Sequence, residues 1–243
     1  KGQSIAVIPI RGVIAHRMGS MDDSSGGTSC ERIGRLVDAA AADPSIGTIV
    51  YDIDSPGGSV YGVAELASEI VKARAQKPVV AVANSLAASA AYWIGCSASE
   101  FYVTPGGEVG SIGVWQAHFD YSKALEDEGV KTTLVSAGKF KVEGNPYSPL
   151  DEEAQSFMQS RVDDYYAAFT KAVARGRGVP IAQVREGMGQ GRVLGADAAL
   201  AQNMVDGIAT LDDVIKKMRR DARQPGKAGA TRLRQARDAL ALL

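Results

Sequence analysis

Two short apolar runs, GTIVYDID and PVVAVAN, constrain the fold of this chain more than any other feature, because each leads directly into a stretch with helical periodicity. Runs of that length, rich in Val and Ile and without strict alternation, suit strands buried on both faces. After the first run, Val63, Leu66, Ala67, Ile70 and Val71 mark one face of a helix; after the second comes the helix-like LAASAAYWIGCSA. Before the first run, Ile33, Leu36, Val37 and Ala40 mark another helical face, which Pro44 closes. Strand, helix, strand, helix in this rhythm predicts a mainly parallel sheet built from βαβ units. Chemistry on such sheets gathers where strands end and helices begin.

The remainder extends the pattern. Ser4 to Ile14 reads as an entering strand, and HRMGSMDDSSGGTSC as a mobile loop. EFYVT, GSIGVWQ and KTTLVSA read as strands, DYSKALEDEG as a helix, and GKFKVEGNPYSPL as a loop carrying two lysines. A long helix is expected from Asp151 to about Arg175, then shorter helices over PIAQVREGM and ADAALAQ, a closing strand at MVDGIA, and helix again from Leu211. QPGKAGAT reads as a linker into a last short helix, RLRQARDALALL. The expected division is one α/β domain over residues 1–215 and a charged helical tail over 216–243.

Charge narrows the partners. Lys and Arg number 27 against 28 Asp and Glu, a net charge of -1, which argues against nucleic acid or an anionic membrane surface. Cys30 and Cys96 have no second Cys or His at metal-ligand spacing and read as free thiols, consistent with a reducing compartment; neither a metal nor an organic cofactor is expected. No run approaches the ~20 apolar residues of a membrane span, and the opening KGQSIAVIPIRGVI has no signal-peptide cleavage region. A soluble, cytoplasmic protein is the expectation.

Several residues could carry chemistry. Gly57 and Gly58 follow a buried strand, where bare backbone N–H groups can approach a ligand and form an oxyanion hole; a structural turn explains them equally well. Ser89 lies among alanines three residues into an expected helix, where the positive end of the helix field favours a developing negative charge, although a Ser among alanines is usually only a small helix residue. A nucleophilic serine needs a base. The chain has only His16 and His118, neither in a triad setting, and no G-x-S-x-G motif. A lysine serves if desolvation keeps it neutral, and Lys139 and Lys141 sit in a glycine-flanked loop, where lysines are ordinarily solvated. Ser111, in VGSIGV, could orient such an amine.

Taken in order, DSPGGS, NSLAASAAYWIG, VGSIGV and GKFKVEGNP resemble the signal peptide peptidase A family of serine-lysine peptidases, over roughly residues 4–215. The resemblance implies a crotonase/Clp-like fold with C-terminal helices, Ser89 as nucleophile and Lys141 as general base, with Lys139 a bystander. It implies an oxyanion hole at Gly57 or Gly58 and a supporting role for Ser111. The family commonly has Gly-Gly after the nucleophile, whereas this chain has Ala90-Ala91. The HRM…SGGTS loop and the NPY-x-PL stretch are similar to the phage and prophage branch, whose members process head proteins. The implied substrates are therefore peptides and proteins, including capsid or scaffold proteins, in a host cytoplasm or procapsid. Single-length members assemble as rings in which the lysine of one protomer completes the serine site of its neighbour. The rival readings are a signal-peptide-degrading peptidase of the same family, a crotonase-like acyl-CoA enzyme, and a non-catalytic ring-forming assembly factor.

Overall fold

The computed structural model describes residues 3–19 and 26–223; residues 20–25 of the expected HRM…SGGTS loop, the expected QPGKAGAT linker and the expected final helix lie outside the described residues. In chain order the elements are β1 (Ser4–Ala15), β2 (Thr28–Ser29), α1 (Cys30–Ala42), β3 (Ile46–Gly58), α2 (Val63–Arg74), β4 (Val79–Ala88), α3 (Ala90–Cys96), β5 (Glu100–Val103), β6 (Glu108–Gly110), α4 (Ser122–Asp127), α5 (Glu152–Arg177), α6 (Ile181–Glu186), β7 (Val193–Gly195), α7 (Ala196–Ala201), β8 (Gly207–Ile208) and α8 (Leu211–Arg223). Two compact units result: one formed by residues 1–113 with 168–243, the other by residues 114–167.

The first unit carries the sheet, in the order β2-β1-β3-β4-β5-β8, with β6 pairing to both β4 and β7. Every pairing is parallel except β6 with β7. The expected mainly parallel α/β architecture is therefore present. Side chains alternate along β3, so that Ile49, Tyr51 and Ile53 enter the main core with Ile33 and Val37 of α1, Leu66 and Ile70 of α2, and all of α3 except its glycine. Val50 points to the opposite face, where it meets Val80, Val82, and Val214 and Met218 of α8. Residue 215 thus falls inside a helix packed on the sheet, and the expected tail begins within that helix.

Local signals explain the element ends. Ser29 caps α1 by accepting from the Arg32 N–H at 3.3 Å, and the chain leaves the helix at Asp43, ahead of Pro44. Glycine permits the break at Gly12, where φ is 64° and a Cβ would lie 1.5 Å from the Gly26 carbonyl oxygen. There β1 shifts register against β3 between Arg11 and Val13, and β3 shifts against β4 between Ile53 and Ser55. Bulges of this kind bend a strand and re-aim the residues beyond it.

The second unit is built differently. Of its residues only Ala154 is buried, and α4 buries none. Of GSIGVWQ and KTTLVSA, expected as strands, neither forms one apart from Gly110, the last residue of β6. Their β-forming side chains find no ladder within the unit, and Trp115 and Val135 stand 85% and 95% exposed. Among the described residues, no helix is long and apolar enough to cross a membrane.

Candidate active site

Ser89 is not inside a helix, as the alanine-rich sequence suggests. Strand β4 runs four residues past the expected PVVAVAN, to Ala88, and Ser89 stands alone at the junction before α3, with φ 54° and ψ -122°. Such a backbone is strained for a residue with a Cβ, and strain of this kind costs about 1–3 kcal/mol unless the surroundings hold it. Here they do. The Ser89 N–H donates to the Gly110 carbonyl at 2.8 Å, and the Ser89 carbonyl accepts from the Trp93 N–H at 3.0 Å. Ala88 and Gly110 are register partners, so the β4–β6 pairing leads directly into the turn. The result is an elbow that turns Ser89 out of the sheet without the G-x-S-x-G motif.

Gly57 lies against this elbow. At φ 96°, a Cβ on it would come within 2.7 Å of both Ser89 Cβ and the Ala88 carbonyl oxygen, and within 3.0 Å of the Ala90 nitrogen. Only glycine allows that approach. Gly58 is pressed against β1 instead, where a Cβ would lie 1.9 Å from the Ile14 carbonyl oxygen. The next N–H, that of Ser59, donates to that same oxygen at 2.8 Å. Successive N–H groups along an extended chain alternate in direction, so the Gly58 N–H points away from β1. The Gly57 N–H is already engaged, donating to Ser55 Oγ at 3.1 Å.

Ser111, also at positive φ (53°), follows the glycine that accepts from Ser89, and its own N–H donates to the Arg192 carbonyl at 2.8 Å. Ser89, Gly57, Gly58 and Ser111 therefore all belong to the first unit, the first two in direct proximity. Sequence reasoning did not single out Ser55 or Gly110. Ser55 had a usable signal, since a serine two residues before a turn glycine commonly accepts a backbone N–H. Gly110 had none, because its role depends on a strand pairing.

Lys141 belongs to the second unit. It lies in a turn from Gly138 to Asn145 held by bonds from the Lys141 N–H to the Gly138 carbonyl (3.1 Å), the Glu143 N–H to the Phe140 carbonyl (3.2 Å) and the Asn145 N–H to the Val142 carbonyl (3.2 Å). Among the described residues, Lys141 is exposed. Lys139 is paired with Glu153 at 2.8 Å and lies over the Phe140 ring. His118, in the second unit, is hydrogen-bonded through Nε2 to the Asn145 carbonyl at 2.9 Å, and the first unit holds His16. His16 lines a pocket of about 200 Å³ with Glu31, Glu65 and Glu69.

Comparison with known proteins gives one family model, Peptidase family S49, matching residues 71–224, a span that holds Ser89, Ser111 and Lys141 while Gly57 and Gly58 precede it. The chain is 35% identical over 227 residues to the capsid assembly protease C of Escherichia phage lambda, covering 93% of this chain and 51% of that protein. It is 36% identical over 209 residues to the head-tail preconnector protein GP5 of Enterobacteria phage P21, covering 83% and 41%. It is 28% identical over 220 residues to protease 4 of Haemophilus influenzae, covering 88% and 34%. The chain thus spans about half or less of the length of these three relatives. Two solved structures share its fold, both of the 1510-N membrane-bound stomatin-specific protease in mutant form, one in complex with a substrate peptide. Their TM-scores are 0.51 and 0.53 at 17% identity, covering 89% of this chain and 85% and 80% of theirs.

Proposed function

This chain belongs to Peptidase family S49, and on that premise we propose that it is a serine peptidase in which Ser89 is the nucleophile, Lys141 the general base and the Gly58 N–H an oxyanion donor. The observation that carries the reading is the Ser89 elbow, a strained serine at a strand–helix junction with Gly57 packed against its Cβ. Strain is retained where it serves a mechanism, and here it presents a hydroxyl beside backbone donors.

In the reaction, Ser89 Oγ attacks the peptide carbonyl carbon and its proton passes to neutral Lys141 Nζ. The carbonyl oxygen becomes an oxyanion, which the Gly58 N–H binds; the Gly57 N–H is taken by Ser55. Collapse expels the amine, which receives the proton from Lys141, and water then hydrolyses the acyl-enzyme by the same steps. Ser111 assists by orienting the lysine amine.

Lys141 of one protomer completes the Ser89 site of a neighbour in a homo-oligomeric ring. In support, Lys141 is exposed within its own chain, and its unit also exposes Trp115, Phe119, Phe140 and Phe157. Burial of that surface on assembly would supply the desolvation that lowers a lysine pKa. Substrates are proteins, and the names of the two phage relatives favour capsid or scaffold proteins, processed in a host cytoplasm or procapsid.

The test is intact-mass analysis after incubation with a fluorophosphonate. One adduct per chain is expected for the native sequence and none for Ser89→Ala or Lys141→Ala at matched oligomeric state. An adduct that persists in Ser89→Ala, or no adduct on the native protein, would overturn the assignment.

A further inference from the structure

Ser55 is wholly buried, at 0% exposure, yet its hydroxyl is fully used. The O–H donates to the Gly12 carbonyl at 2.6 Å, and the same oxygen accepts from the Gly57 N–H at 3.1 Å. These two bonds join the places where the sheet loses its regular register: Gly12 sits in the β1 bulge, and Ser55 follows the shift between β3 and β4. Without the hydroxyl, the Gly57 N–H would lose this acceptor on the β1 side, and a glycine peptide packed on Ser89 Cβ would be free to rotate. With the hydroxyl, the Gly57 peptide is held back, and the one after it, carrying the Gly58 N–H, is set in a single orientation.

We propose that Ser55 is a positioning residue for the oxyanion hole: its buried hydroxyl pins the Gly57 peptide to Gly12 and so aims the Gly58 N–H at the substrate oxygen. The inference rests on the serine peptidase reading and names a part that reading does not need. Ser55 is bonded to Gly12 and Gly57, not to Ser89. It acts only through the direction of a neighbouring amide. An amide hydrogen bond that develops in the transition state is sensitive to small displacements, and a misplacement of about 1 Å costs up to ~10²-fold in rate.

The experiment is fluorophosphonate phosphonylation of the assembled protein, in which Ser89 Oγ bonds to phosphorus, fluoride leaves and the phosphoryl oxygen occupies the oxyanion site. Rate against probe concentration separates kinact from KI, and the end-point mass counts competent sites. For Ser55→Ala the expected result is kinact lowered by ~10- to 10²-fold, with KI and end-point stoichiometry unchanged. Ser55→Cys, nearly the same size with a weaker hydrogen-bonding group, should fall between Ala and the native protein, and it carries the test if Ser55→Ala fails to assemble. A purely structural serine would instead lower the melting temperature and the number of competent sites while leaving kinact of the survivors as it was. A kinact for either variant within about twofold of the native value overturns the proposal alone. A native protein that takes no adduct overturns the peptidase reading as well.

Discussion

Gly57 cannot accept a side chain, because the atoms a Cβ would meet at 2.7 Å include a backbone carbonyl that has no room to rotate away. Gly57→Ala should therefore cut the initial fluorophosphonate labelling rate at Ser89 by ~10²-fold or more, with the two-residue neighbour Ser59→Ala as a near-neutral control. At the same scale, burial pushes the Cys30 thiol up to about 11, helped by the Glu65 charge, and the Cys96 thiol up to about 12. Neither should react with iodoacetamide at pH 8 in the folded protein, and both should react in guanidinium. The linkage has a definite sign. An unfolded thiol ionises near 9 while the folded one stays protonated, so the stability these thiols contribute is complete below pH 9 and declines as pH rises toward 11 and 12. Urea midpoints should fall across that window, with burial of the Tyr51 and Tyr92 phenols steepening the decline.

Among elements, α3 is the most dependent on its neighbours, since every one of its residues is buried. Trp93 stacks on Phe169 of α5 with ring centroids 4.8 Å apart and planes 8° from parallel, and the Tyr92 hydroxyl donates to the Met204 carbonyl at 3.0 Å. Phe169→Ala should cost about 3–5 kcal/mol in denaturant unfolding. Because α3 begins at the residue after Ser89, the same variant should reduce the number of sites that label. Helix α8 makes a separate case. Ending the chain at residue 215 would remove Met218 from the second core and Lys217 from Glu100, which it contacts at 2.9 Å. A loss of about 2 kcal/mol or more is expected from the Met218 contacts, read as a lower urea midpoint than a chain ending at 223.

At the scale of the whole molecule, the proposed ring makes its own prediction. Ser89→Ala retains a lysine and Lys141→Ala retains a serine, so a mixture of the two, dissociated and reassembled, should label with fluorophosphonate although neither does alone. Labelling confined to the Lys141→Ala chains of the mixture, resolved by mass, would place the lysine in a neighbouring protomer. A mixture that stays inert while assembling normally would put both residues in one chain. Light scattering should show the native protein well above the mass of one 25.5 kDa chain.

What the sequence determined by itself was the part encoded in local period and composition: β3 and β4 as buried strands, α1 and α2 by their apolar faces, and hence a parallel α/β sheet. The motifs around Ser89, Gly57 and Lys141 were legible for the same reason, each being a short contiguous run. Only the tertiary structure decided where Ser89 sits, because pairing of Ala88 with Gly110 extends β4 through residues whose alanine-rich composition favours a helix. It also decided which glycine N–H is spoken for, since the Ser55 hydroxyl reaches Gly12, 43 residues away in the chain. KTTLVSA, and GSIGVWQ past Gly110, show the converse: strand propensity without a partner strand makes no ladder, because a strand is completed by hydrogen bonds that no single segment contains.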